Sequence, residues 1–114
     1  MARRPALPKT DAEMQRWCAQ LEDEVAGWPA VTSRPMFGLL AFYRAKRIFA
    51  AVPRTRALHT PFSLLLKLPG VDDDRLVASG PGAGWVGFEL ASAADIPTAL
   101  RYLGQAYQQS TRRV

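Results

Sequence analysis

The sequence predicts an α+β fold: an antiparallel sheet of about four to five strands with an N-terminal and a C-terminal helix packed on it. The expected element order is α-β-β-β-α-β-α. Three observations predict it. Met14, Trp17, Cys18, Leu21 and Val25 are spaced 3, 1, 3 and 4, which paints one face of a helix near the start. Ile96, Ala99, Leu100, Leu103 and Tyr107 repeat that spacing near the end. Between them, from Val31 to Leu68, the apolar period changes to two with no helical stretch interrupting it. Short connections of this kind join antiparallel hairpins, not βαβ crossovers.

The elements follow in order. Residues 1–9 hold two prolines and three cations and read as a flexible basic arm. Thr10 and Glu13 form a capping box for a helix over 11–26, which Gly27 and Pro29 stop. Glu22, Asp23 and Glu24 sit at the end where the helix dipole disfavours anions, and pairing with cations of the next segment would offset this. "LLAFY" places Leu40 and Phe42 on one face, against Leu39, Ala41 and Tyr43. "IFAAV" places Ile48, Ala50 and Val52 on one face and stops at Pro53. "RTRALHT" reads as a loop or short irregular strand. "PFSLLLKL" alternates Phe62, Leu64, Leu66 and Leu68 against Ser63, Leu65 and Lys67. Asp72, Asp73 and Asp74 suit the first turn of a short helix over 72–79. "GPGAG" is a loop, and "WVGFEL" is a final strand in which Gly87 marks a bulge or close packing. Ser92 or Asp95 caps the last helix, with Pro97 in its first turn. Residues 10–110 form one domain, and 111–114 a frayed tail.

Charge is unevenly distributed. The net charge is +5, yet no acidic residue lies between Glu24 and Asp72. That window holds Arg34, Arg44, Lys46, Arg47, Arg54, Arg56 and Lys67. Such asymmetry suits a polyanion-binding surface, with Arg34, Arg44, Lys46, Arg47, Arg54 and Arg56 as its candidate residues. With no run of more than two adjacent cations, it better suits strand edges and turns charged for solubility. No apolar run approaches the roughly 20 residues of a membrane span, and no cleavable leader follows the basic start, so no membrane association and a cytoplasmic location are expected. One cysteine allows no internal disulfide.

Catalytic chemistry finds few materials. One His and one Cys on different elements cannot build a zinc site. The aspartate triplet lacks the glycine and distal glutamate of a calcium loop. Cys18 lies on the apolar stripe, which predicts a buried, inert thiol. His59, beside Thr60 and Ser63, has no acid nearby in sequence to complete a triad. The glycines at 80, 82 and 84 lead into a strand, and Pro81 removes an amide, unlike a phosphate loop that opens a helix. No catalytic residue, metal or cofactor is therefore expected. Aromatics and cations do interleave over 37–49, as in single-strand nucleic-acid platforms, although Phe42 and Phe49 fit core-facing positions better.

The stretch "RPMFGLLAFYRAKRIFAAV" carries a resemblance. Met36, Phe37 and Gly38 lead into a strand, and Lys46, Phe49 and Ala50 follow a turn. This pattern, with Lys67 closing a later strand and a helix at the end, resembles the N-terminal domain of TfoX/Sxy-type proteins. These are small bacterial proteins that include regulators of natural competence. The usual hairpin glycine is Ala45 here, and "ALHTPFS" resembles an insertion. The resemblance implies a compact α+β domain and supplies no catalytic residues. Within the motif, Pro35 biases Arg34 towards an extended backbone. Met36 and Phe37 are expected to plug the helix-to-sheet junction, and Gly38 to permit the turn into the first long strand. The functional expectation is a non-enzymatic regulatory or protein-interaction domain, monomeric or homodimeric. The alternatives are a nucleic-acid-associated protein using the basic 34–67 segment and a small enzyme or ligand-binding protein with a pocket between sheet and helix.

Overall fold

The computed structural model describes residues 12–55, 63–69, 74–78 and 84–110. The arm, Thr10 of the capping box, Arg56, His59, Asp72, Asp73 and the loop glycines before Gly84 lie outside the described residues. The fold is α+β, with a six-stranded antiparallel sheet between helices α1 (Ala12–Ala26) and α2 (Ile96–Gln109) in sequence. The strands are β1 (Val31–Met36), β2 (Leu39–Arg44), β3 (Arg47–Pro53), β4 (Ser63–Lys67), β5 (Leu76–Ala78) and β6 (Trp85–Glu89). Their order across the sheet is β1-β2-β3-β4-β6-β5.

Two expectations are corrected. The segment 31–36 is a strand, so the sheet exceeds the expected four to five. Its composition hid it, because β1 is a solvent-exposed edge and contains Pro35. A proline fits there. Met36 and Leu39 flank a two-residue turn, and the next pair, Pro35–Leu40, is the kind that exchanges no amide bonds. The second correction concerns 72–79, expected as a helix. Leu76–Ala78 instead pairs with β6 at the far edge, Leu76 opposite Phe88 and Ala78 opposite Val86. An eight-residue helix is marginal on its own, and a strand there covers an otherwise open edge. The element order is therefore α-β-β-β-β-β-β-α, with a 3-10 turn (Ala93–Asp95) before α2.

One rung shows how the sheet sorts its faces. Ser33, Phe42, Ala50, Leu66, Val86 and Ala78 are successive partners across all six strands. This face carries the core, where Phe42, Ala50, Leu66 and Phe88 join the apolar stripes of both helices in one cluster. The neighbouring rung, Arg34, Ala41, Ala51, Leu65, Gly87 and Val77, lies on the opposite face. Gly87 is buried between Leu65 and Val77, with no register shift there.

The register does shift in β3. Phe42 pairs with Ala50 but Tyr43 with Ile48, so Phe49 is an extra residue, a β-bulge. The bulge turns Phe49 into the core beside Ala50 and Val52 and moves half-buried Ile48 off that face. Strict alternation had put Ile48 there.

Both helices bury the stripes their spacing predicts. In α1 the buried residues are Met14, Trp17, Cys18, Leu21 and Val25. In α2 the stripe is broader, because Tyr102 and Ala106 are also buried while Ile96 and Leu100 are partly so. Ser92 accepts a hydrogen bond from Ala94 N at 3.2 Å and caps the 3-10 turn. Asp95 stands at the start of α2 but turns back to accept from Ala91 N at 2.7 Å. That bond, helped by Arg75, holds its carboxyl below the usual range.

Candidate functional site

The five candidate cations among the described residues, Arg34, Arg44, Lys46, Arg47 and Arg54, separate into groups. Arg34 lies on the outer sheet face, 5.9 Å from the Tyr43 ring centre. Arg54, beyond β3, pairs with Glu22 of α1 at 3.3 Å, one of the compensations expected for the acidic helix end. Glu24 instead accepts from the neutral indole of Trp28, Nε1 to carboxylate at 3.3 Å. Arg44, Lys46 and Arg47 come together at the β2–β3 turn.

Arg44 and Arg47 are direct cross-strand partners, a pairing in which like charges repel. The C-terminal carbonyls of α2 resolve this. Arg44 donates Nη1 to Tyr107 O at 3.0 Å, and Arg47 donates Nη1 to Ser110 O at 3.3 Å. Carbonyls at a helix C-terminus carry partial negative charge and lack partners within the helix. The Arg44 guanidinium also lies 3.9 Å from the centre of the Tyr107 ring. Tyr107 meets Trp28 and Phe49 at 5.1 and 5.6 Å, and its hydroxyl donates to Pro29 O at 2.7 Å.

Beside this junction is a solvent-open cleft of about 760 Å3. Its cations are Lys46, Arg47 and Lys67, and no carboxylate lines it among the described residues. Ile48, Phe49 and Ala106 form its apolar wall. Lys67 was part of the acid-free window but not of the candidate set. What brings it here is the β3–β4 register, Ala50 opposite Leu66, which sequence spacing does not reveal. Ala45 and Lys46 form the turn with φ of 48° and 74°, and Ala45 N donates to the oxygen of Ala30, whose φ is 63°. Two-residue turns of this kind favour Asn-Gly. Non-glycine residues held left-handed cost about 1–3 kcal/mol each, and such strain collects at functional sites.

A second strained turn is the β1–β2 hairpin. Phe37 has φ 54° and Gly38 φ 84°, so glycine fits its position and phenylalanine does not. The Phe37 side chain is 81% exposed. It therefore does not plug the helix-to-sheet junction. Residues 31–36 form a strand and carry it to a hairpin tip, while Met36 is half-buried at the strand end. The tip itself is held firmly, because Gly38 O accepts from both Arg54 N and Thr55 N at 3.0 and 2.9 Å.

Among the described residues, no three of His, Cys, Asp and Glu gather as metal ligands, and no helix is long and apolar enough to cross a membrane. Cys18 is buried, and burial, then the Glu22 carboxylate, pushes its thiol pKa up to about 12 from an ordinary 9.0. Above pH 9.0 the unfolded chain loses this proton and the folded chain keeps it, so the stability linked to the thiol is present below pH 9.0 and declines towards 12. The expected decline is about 1.4 kcal/mol per pH unit. Urea unfolding at successive pH values should show this extra slope in the wild type and lose it in Cys18→Ala; parallel slopes would contradict it. Comparison of the chain with protein-family models, with curated proteins and with solved structures found no match.

Proposed function

We propose that this chain is a non-enzymatic regulatory or protein-interaction domain, a divergent relative of the TfoX N-terminal type, that engages a protein partner through its β1–β2 hairpin. The observation that carries this is Phe37, a large exposed aromatic in a left-handed backbone at the end of a well-anchored turn. Stability alone would favour Asn or Gly there. Rigidly presented aromatics are the common anchors of protein interfaces. A protein partner is favoured over nucleic acid because Arg34 and Arg54 lie apart from the cluster at the β2–β3 turn, and Arg54 is paired with Glu22.

Phe37→Asn separates function from folding. It should stabilise the domain by about 1 kcal/mol, raising Tm by about 4 °C, because Asn tolerates the left-handed region. It should also abolish binding of a partner that the wild type captures and that is then reconstituted from purified components. Val77→Asn is the control, since Val77 is the other large exposed apolar side chain among the described residues, at 52%. A reconstituted partner that binds Phe37→Asn as tightly as wild type would refute the hairpin as its anchor.

A further inference from the structure

We infer that the cleft between the β2–β3 turn, the end of β4 and the C-terminus of α2 is a binding site for a small amphiphilic anion: a phosphate monoester with an apolar or aromatic body. Its volume, about 760 Å3, falls within the range of small-molecule sites. Its chemistry is divided. Lys46, Arg47 and Lys67 supply positive charge with no carboxylate among the described lining residues, while Ile48, Phe49 and Ala106 supply an apolar wall.

The charges do not play equal parts. Arg47 is already bonded to Ser110 O, and with Arg44 it neutralises the negative end of α2, which would otherwise repel an anion. Lys67 lies 5.9 Å from the Trp85 ring centre, a weak contact that leaves its ammonium protons to a stronger acceptor. Lys46 has no hydrogen-bond or ion-pair partner among the described residues, and it sits in a strained left-handed conformation at the cleft mouth. Lys46 and Lys67 are therefore the head-group ligands. Two ammonium groups beside a guanidinium match a phosphate dianion, with the ester body against Ile48. The site is too local for a nucleic-acid track, since strand binders run cations along a groove and Arg34 and Arg54 lie elsewhere. This inference is independent of the hairpin.

The probe is phenyl phosphate, titrated into 15N-labelled protein and followed by amide shifts. Saturable shifts confined to the β2–β3 turn, the end of β4 and the last turn of α2 are expected. Lys46→Gln and Lys67→Gln should each weaken binding about tenfold, the usual scale for a charged hydrogen bond. Their unchanged melting temperatures would show that the fold is intact. Inorganic phosphate should bind more weakly than phenyl phosphate; equal affinity would remove the apolar wall from the site and overturn the amphiphile. No saturation at millimolar phenyl phosphate would overturn the site itself. Tighter binding of a thymidine oligonucleotide, with shifts extending to Arg34 and Arg54, would replace it with a nucleic-acid surface.

Discussion

Tyr107→Ala should lower the free energy of unfolding by about 3–5 kcal/mol, the usual range for truncating a buried aromatic. Against the 5–15 kcal/mol of an ordinary domain, that leaves a marginal protein. Tyr107 is 9% exposed and holds one end of the molecule together. Its ring touches Trp28 after α1 and Phe49 of the β3 bulge and supports Arg44 of β2. Truncation removes the ring's packing on Trp28 and Phe49 and leaves the Arg44 guanidinium without its platform. Tyr107→Phe isolates the hydroxyl, whose bond to Pro29 O should contribute about 1 kcal/mol. Urea unfolding of the two variants decides the matter. If Tyr107→Phe costs as much as Tyr107→Ala, the bond to Pro29 holds this junction and the ring does not. The same variants bear on the cleft, because Phe49 and the α2 terminus form its walls.

What the sequence made legible follows from how each element is buried. The apolar face of helix α1 was readable, since a one-sided helix writes its environment into a period of 3.6 and every predicted stripe residue is buried. Strand β4 was readable at period two through Leu64 and Leu66, although Ser63 on the other face is buried as well. Strand β1 was not, because an edge facing water needs no apolar alternation. The bulge at Phe49 was not, because alternation cannot count a residue inserted opposite none. Strand β5 lost to a local signal: three aspartates advertise a helix start, but long-range pairing with β6 outweighs a weak local preference.

The candidate site shows the same division. The acid-free window drew attention to Lys46 and Arg47. It could not separate Arg54, claimed by Glu22, from the cations of the cleft, nor show that Lys67, which it also contains, joins them through strand register. The Met-Phe-Gly motif marked a special place and suggested the wrong environment for it. A buried plug and an exposed hairpin tip use the same three residues. The choice between them depends on whether the preceding segment is a loop or a strand. The positive φ at Phe37 and at the Ala45-Lys46 turn are tertiary facts, set by strands that must turn back within two residues.

At the opposite edge of the sheet, Phe88→Ala should cost about 3–5 kcal/mol and also release β5. Phe88 is fully buried, and its ring lies 5.2 Å from Tyr102 of α2. Leu64 and Leu76 flank it as cross-strand partners. The Arg75 guanidinium sits 4.8 Å from its ring centre while bridging to Asp95 at 3.4 Å. Three residues of β5 pair with β6 alone, so this strand depends on side-chain anchoring more than on ladder length. Without the Phe88 ring, Leu76 loses its partner and Arg75 its support. Amide exchange should then show Leu76–Ala78 opening at a free energy well below global unfolding, while β2 and β3 retain protection. Phe88→Leu, which keeps most of the volume, should cost under about 1.5 kcal/mol and leave β5 protected. If β5 exchanges at the global rate in both variants, its attachment rests on the backbone ladder and the Arg75–Asp95 pair, and the anchoring role assigned to Phe88 is wrong.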